Sequence, residues 1–156
     1  MAQEKGPILN LWERLQKVPG GRALFSFVMG RKVPYTGTIH ARVEELAPGH
    51  SKIRMADRKG LRNHLRSIHA IALANLGELA TGLAVMAALP PTARGIPVEI
   101  KLEFLKKARG EIVAKASCAI PELHEQHEHP VEALMFDAQG DKVARFSARW
   151  MVGPGS

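Results

Sequence analysis

The clearest pattern in the chain lies at residues 98–104, where Val98, Ile100, Leu102 and Phe104 alternate with Glu99, Lys101 and Glu103. A period of two predicts a strand with one face on a core and the other in solvent. Further strands are predicted over 112–120, 131–137 and 142–151, separated by Arg109-Gly110, by the polar run 121–130 and by Gln139-Gly140-Asp141. Upstream, 35–46 and 51–55 flank Pro48-Gly49 as a hairpin. Nearer the start, Ile8, Leu11, Trp12 and Leu15 fall at helical spacing within 7–18, and a second short helix is predicted over 22–29.

Between the two groups of strands lies a long apolar stretch, 68–89, rich in alanine and glycine and filled out by Ile71, Leu73, Leu76, Leu79, Leu83, Val85 and Met86. It approaches the length that spans a bilayer. It also carries His69, Asn75, Glu78 and Thr81, and a carboxylate at the centre of a lone spanning helix costs about 2.5 to 3.5 kcal/mol. A helix apolar nearly all round is expected instead at the centre of a soluble fold. Ser67 is the expected N-cap and Pro90-Pro91 the stop.

The order is helical entry, two strands, one long apolar helix and four more strands. An α+β fold satisfies it, with an antiparallel sheet wrapped around one central helix so that each covers the other's apolar face, the arrangement called a hotdog. One domain over 1–156 is expected, with 1–34 as a helical extension and 35–151 as the core.

Composition narrows the partners. Lysine and arginine total 22 against 15 acidic residues, a formal charge of +7 that favours anionic partners. Nucleic acid is a weak candidate, because stacking surfaces are scarce: only 5% of residues are aromatic, and Tyr35 and Trp150 lie outside the basic clusters. Cys118 is the lone cysteine, which excludes an intrachain disulfide, and a cytoplasmic location is expected. His124, His127 and His129, interleaved with Glu122, Glu125 and Glu128, have ligand chemistry, but an exposed loop rather than a metal site is expected there.

Asn63, His69 and Glu78 stand six and nine residues apart. This spacing resembles the motif of hotdog acyl-CoA thioesterases related to the phenylacetate-pathway enzymes, in which Asn is followed after five residues by His-Gly-Gly and an acidic residue lies nine positions past the His. The strand 96–105 and the turn Lys107-Ala108-Arg109-Gly110 extend the similarity, which covers roughly 35–151. The family glycines are Ala70 and Ile71 here, and the acid is Glu rather than Asp.

The resemblance implies an acyl-CoA thioesterase. Glu78 would serve as general base or nucleophile, Asn63 and His69 would orient water and thioester, and the N–H of Ala70 or Ile71 would hold the oxyanion. Coenzyme A would enter as part of the substrate, with no other cofactor, its phosphates met by Lys106, Lys107, Arg109 and Arg66. Lys101, Arg58, Lys59 and Arg62 are further basic candidates. On a helix, nine residues place His69 and Glu78 on opposite faces and roughly 13 Å apart, so a site using both implies a homodimer or a dimer of dimers. The alternatives are an acyl-CoA-binding protein of the same fold without hydrolysis and, on charge alone, a nucleic-acid-binding protein.

Overall fold

The computed structural model describes residues 4–155. Three helices come first: α1 (Pro7–Leu15), α2 (Gly21–Lys32) and the single turn α3 (Pro34–Gly37). The strands β1 (Arg42–Ala47) and β2 (His50–Met55) follow, then the central helix α4 (Ala70–Ala88). The chain ends in β3 (Ala93–Phe104), β4 (Ile112–Ser117), β5 (His127–Phe136) and β6 (Lys142–Pro154). All six strands form one sheet in the order β1-β2-β4-β5-β6-β3, antiparallel throughout. This is the hotdog arrangement: β1 and β3 are its two edges, and α4 lies in the curve.

Burial follows from the sequence of α4. Leu73, Leu76, Leu83 and Val85 are buried against the sheet, and two thirds of the helix's most apolar stretch is covered, which accounts for a helix long and apolar enough to cross a membrane. Gly77 brings the helix down onto the sheet. A Cβ there would sit 2.3 Å from the Phe146 ring, so the fully buried Phe146 packs directly on helix backbone. The N-terminal helices join the same core through Leu9, Trp12, Phe25 and Met29, with Trp12 and Phe25 edge to face at 5.1 Å.

The convex side of the sheet is laced with ion pairs. Arg54 meets Glu44 and Glu111, and Arg149 meets Glu99 and Glu128. These exposed pairs set the polar face and contribute little stability each.

Several expectations need correction. The strand expected from residue 35 begins at Arg42, because Pro34 supplies a helix-start φ and 34–37 turns as α3. The cap of α4 is His69, not Ser67, whose buried hydroxyl finds no partner. The polar run 121–130 is not all loop, since β5 starts at His127, and β4 stops at Ser117, short of residue 120.

The largest correction concerns β3. Its alternation is real, and Ile100, Leu102 and Phe104 face the helix side opposite Ala148, Phe146 and Ala144, but of the three only Leu102 packs against the core. Leu89, just past the end of α4, packs by Gly95 at the start of the strand, while Ile100 and Phe104 remain more than half exposed. A long strand with an unpaired edge and an open apolar face is therefore a feature of the isolated chain.

Candidate functional site

The segment leading into α4 is a tightly bonded loop. Asn63 forms it: its Oδ1 accepts the N–H groups of Leu65 at 2.9 Å and Ser67 at 3.1 Å, and its own N–H donates to the Ser67 carbonyl at 2.8 Å. Arg66 holds a left-handed φ of 59°, which closes the turn. The Asn63 oxygen is thus committed to the loop, and only its amide nitrogen is left for a substrate or water.

Two short bonds then fix the helix start. His69 donates its N–H to Leu61 and Ile68 donates to Ala108, each at 2.7 Å. The second bond brings the turn at 107–110 against the loop, and Arg109 reaches the Leu65 carbonyl at 3.5 Å. Of the expected phosphate-binding residues, Arg66 and Arg109 are thereby placed beside the same loop, with exposed Lys107 on the adjoining turn.

Lys106 is placed elsewhere. Its Nζ pairs with Asp137 at 2.8 Å and Asp141 at 2.7 Å, and Asp137 also accepts the N–H groups of Gln139 and Asp141. The lysine closes the β5–β6 turn, so the expected contact with coenzyme A would compete with these two carboxylates. Lys101 likewise pairs with Glu103 at 2.7 Å, and Arg62 with Asp57 at 2.7 Å. Arg58 donates to the Thr38 carbonyl at 2.8 Å.

His69 stands at the N-cap with extended backbone (φ −62°, ψ 141°), and its Nδ1 accepts the Ile71 N–H at 3.0 Å. An accepting Nδ1 carries no proton, so the neutral ring holds its proton on Nε2. The Ile71 N–H, expected as an oxyanion donor, is consumed by this cap. Among the described residues the N–H of Ala70 has no hydrogen-bond partner and points out with the positive end of the helix dipole. A small cavity of about 180 Å³ opens beside the imidazole, lined by Tyr35, Ile39, Ala72 and Asn75.

Glu78 lies on the other side of α4. Burial pushes its carboxyl above the ordinary glutamate value, and among the described residues no cation or hydrogen-bond donor meets it. It belongs to a half-covered stripe with Ala70, Ala74, Gly82 and Met86, spaced four residues apart. Gly82 explains what faces it: a Cβ there would lie 3.1 Å from the Trp150 ring and 3.9 Å from Glu78 Oε1. Trp150, on β6, is buried, and its indole N–H has no partner. Carboxylate and ring thus approach the same helix position, Gly82, from two sides. The sequence gives no sign of Trp150, because only the sheet register carries residue 150 under residue 82.

The histidine-rich segment is arranged otherwise. His129 is buried, with Nε2 2.8 Å from the Ala119 carbonyl, and His127 lies 3.2 Å from the Glu125 carbonyl through Nδ1. Among the described residues no three His, Cys, Asp or Glu side chains are arranged to hold a metal ion.

Residues 21–152 match the model of a domain of unknown function, DUF4442. The chain belongs to the DUF4442 family. The family match begins at α2, so it takes in more of the N-terminal helices than the sequence resemblance does. A structural-genomics crystal structure is 28% identical with a TM-score of 0.82, covering 95% of this chain and 99% of the other. A Pseudomonas aeruginosa protein, described as of unknown function and a probable thioesterase, is 27% identical with a TM-score of 0.75, over 86% and 95% of the two chains. A thioesterase family protein from Silicibacter pomeroyi, at 22% identity, shares the fold with a TM-score of 0.72 over 83% and 96%. A Halobacterium salinarum protein named as a candidate esterase is 34% identical over 80 residues, 48% of this chain. That match spans about half, 53%, of the relative's length. The fold and the family place the chain in the hotdog thioesterase-like superfamily.

Proposed function

We propose that this protein is a thioester hydrolase acting on acyl-CoA, with its working site completed between two copies of the chain. The observation that carries the reading is Glu78: a half-buried carboxylate with no ionic partner among the described residues, one helical turn from Gly82 where the Trp150 ring packs. Structural noise does not account for such a group, because burying a carboxylate without a partner costs stability. Raised in pKa, it suits proton abstraction from water near neutral pH. Direct attack on the thioester carbonyl is the other route open to it. The Ala70 N–H would hold the developing oxyanion, and the Nε2–H of His69 would hold the thioester in place. Arg66, Lys107 and Arg109 would meet the phosphates of coenzyme A.

A second copy supplies what the lone chain lacks. Pairing β3 with β3 across a two-fold axis would satisfy the free edge, and the partner would cover Ile100 and Phe104. It would also carry a partner Glu78 toward the His69 end of the first chain.

One observation favours a non-hydrolytic acyl-CoA-binding reading. Ile71 stands where the thioesterase motif has glycine, and its side chain is more than half exposed at the helix start, where a thioester would approach. A panel of acyl-CoAs assayed by release of free thiol separates the two readings. Saturable turnover that falls about a hundredfold in Glu78→Gln supports hydrolysis. Tight binding without thiol release supports the binder, and absence of both removes acyl-CoA from the account.

A further inference from the structure

A second recess lies at the opposite edge of the sheet from β3. It is a groove of about 770 Å³ between α2, α3 and the start of β1, with Leu79 of α4 at its base, a volume in the range of small-molecule sites. Its walls are apolar: Ala23, Phe27, Met29 and Val43 line it, and Phe27 is almost two-thirds exposed. The groove exists because α2 and α3 touch through backbone. A Cβ on Gly37 would lie 2.5 Å from the Gly30 carbonyl oxygen, so α3 folds back on α2 without side chains filling the space.

Two of the three hydroxyls that line the groove are already bonded within the chain, and the third, on Thr36, is buried. The Ser26 hydroxyl donates to the Arg22 carbonyl at 2.9 Å and accepts the Val43 N–H at 2.9 Å, and the Thr38 hydroxyl donates to Tyr35 at 2.6 Å. A guest in the interior is therefore offered few hydrogen bonds, which suits an alkyl chain. The rim differs. Arg31, His40 and Arg42 line it, no carboxylate does, and among the described residues none of the three forms an ion pair. Arg31 alone would be accounted for by its place in the last turn of α2. Arg42 on β1 and His40, held at a left-handed φ of 47°, are not.

We infer that this groove binds a fatty-acid-like ligand, an unbranched alkyl chain lying along Phe27, Met29 and Leu79 with its carboxylate at Arg31, His40 and Arg42. The inference is independent of the thioesterase reading, since it uses neither Glu78 nor the β3 face.

Calorimetric titration of the full chain with decanoate, below the concentration at which decanoate aggregates, tests it. Saturation at one site per chain is expected, with acetate and decyltrimethylammonium at least tenfold weaker. Arg42→Glu and the exposed substitution Phe27→Asp should each weaken decanoate at least tenfold while circular dichroism stays unchanged. Glu78→Gln should leave binding as it is. The groove is excluded as the site if decanoate and decyltrimethylammonium bind equally, if both groove variants bind like wild type, if Glu78→Gln abolishes binding, or if decanoate does not bind.

Discussion

The imidazole of His69 caps the central helix by accepting the N–H of Ile71 at 3.0 Å. The residue that the hotdog motif assigns to substrate is therefore a structural device, and the capping bond leaves Nε2 for the substrate role proposed above. Loss of an N-cap costs about 1 kcal/mol. His69→Ala should accordingly lower the thermal midpoint, whereas His69→Asn, a strong capping residue, should restore it. Turnover should stay low in both, because neither returns the Nε2–H. Equal turnover in wild type and His69→Asn would leave His69 with the cap alone.

The burial of Glu78 has two consequences of opposite sign. Its carboxyl is held above the ordinary glutamate value, so the fold favours the protonated form. That contribution is complete below the unfolded pKa and is lost as pH rises through the folded one. At pH 7 the ionised group is a cost to stability, and Glu78→Gln should unfold at a higher temperature than wild type. The gap should close below about pH 4. Over the same range kcat/KM of wild type should rise with pH through an apparent pKa above that of an ordinary glutamate. A variant both active and no more stable would show that the carboxylate neither reacts nor strains the fold.

Lys106 gives the reverse sign. It holds the Asp137 carboxyl below the ordinary aspartate range, so this contribution is present above the unfolded pKa and disappears as pH falls through the folded one. Lys106→Met should lower the thermal midpoint at pH 7 and become indistinguishable from wild type in acid. Affinity for coenzyme A should not change. A large loss of that affinity would return Lys106 to the phosphate site.

The open face of β3 makes a prediction about assembly. Ile100 is 52% exposed in the isolated chain, so Ile100→Glu should leave the circular dichroism spectrum intact. If β3 faces a second copy, the introduced carboxylates oppose association, and sedimentation should change from dimer to monomer with loss of turnover. A dimer that persists in this variant would locate the interface on another surface.

How much of this was readable from residues alone differs element by element. The alternation at 98–104 identifies a strand, and the apolar run at 68–89, which approaches the length of a membrane span, reads as a buried helix because Glu78 stands at its middle. The same alternation misleads about burial, because a period of two states that one side is apolar and not what covers it. The hairpin expected from Tyr35 onward begins later, because Pro34 starts a helical turn there. In the site, the resemblance to the hotdog thioesterase motif points to Asn63, His69 and Glu78, but not to the local bonds that occupy the Asn63 oxygen and the Ile71 N–H. Those depend on side-chain rotamers. Trp150 under Gly82 depends on register across the sheet, to which no local pattern gives access.

His69 and Glu78 lie on opposite sides of one helix, separated by about 13 Å of axial rise. His69 borders the small cavity with Tyr35 and Asn75, while Glu78 borders Gly82 and Trp150. No rotamer within one chain joins them at one thioester, so a site that needs both takes one from each copy. Inactive His69→Ala and Glu78→Gln proteins should then rescue each other when mixed, denatured and refolded together. In a mixed dimer one site holds both substitutions and the other holds neither. Random pairing makes about half of the dimers mixed, each with one intact site of two, so activity should recover to about a quarter of wild type. Mass spectrometry of the refolded sample establishes that mixed dimers formed. If they did and activity stays at the level of the separate variants, the reacting groups come from one chain and the pairing of His69 with Glu78 is wrong.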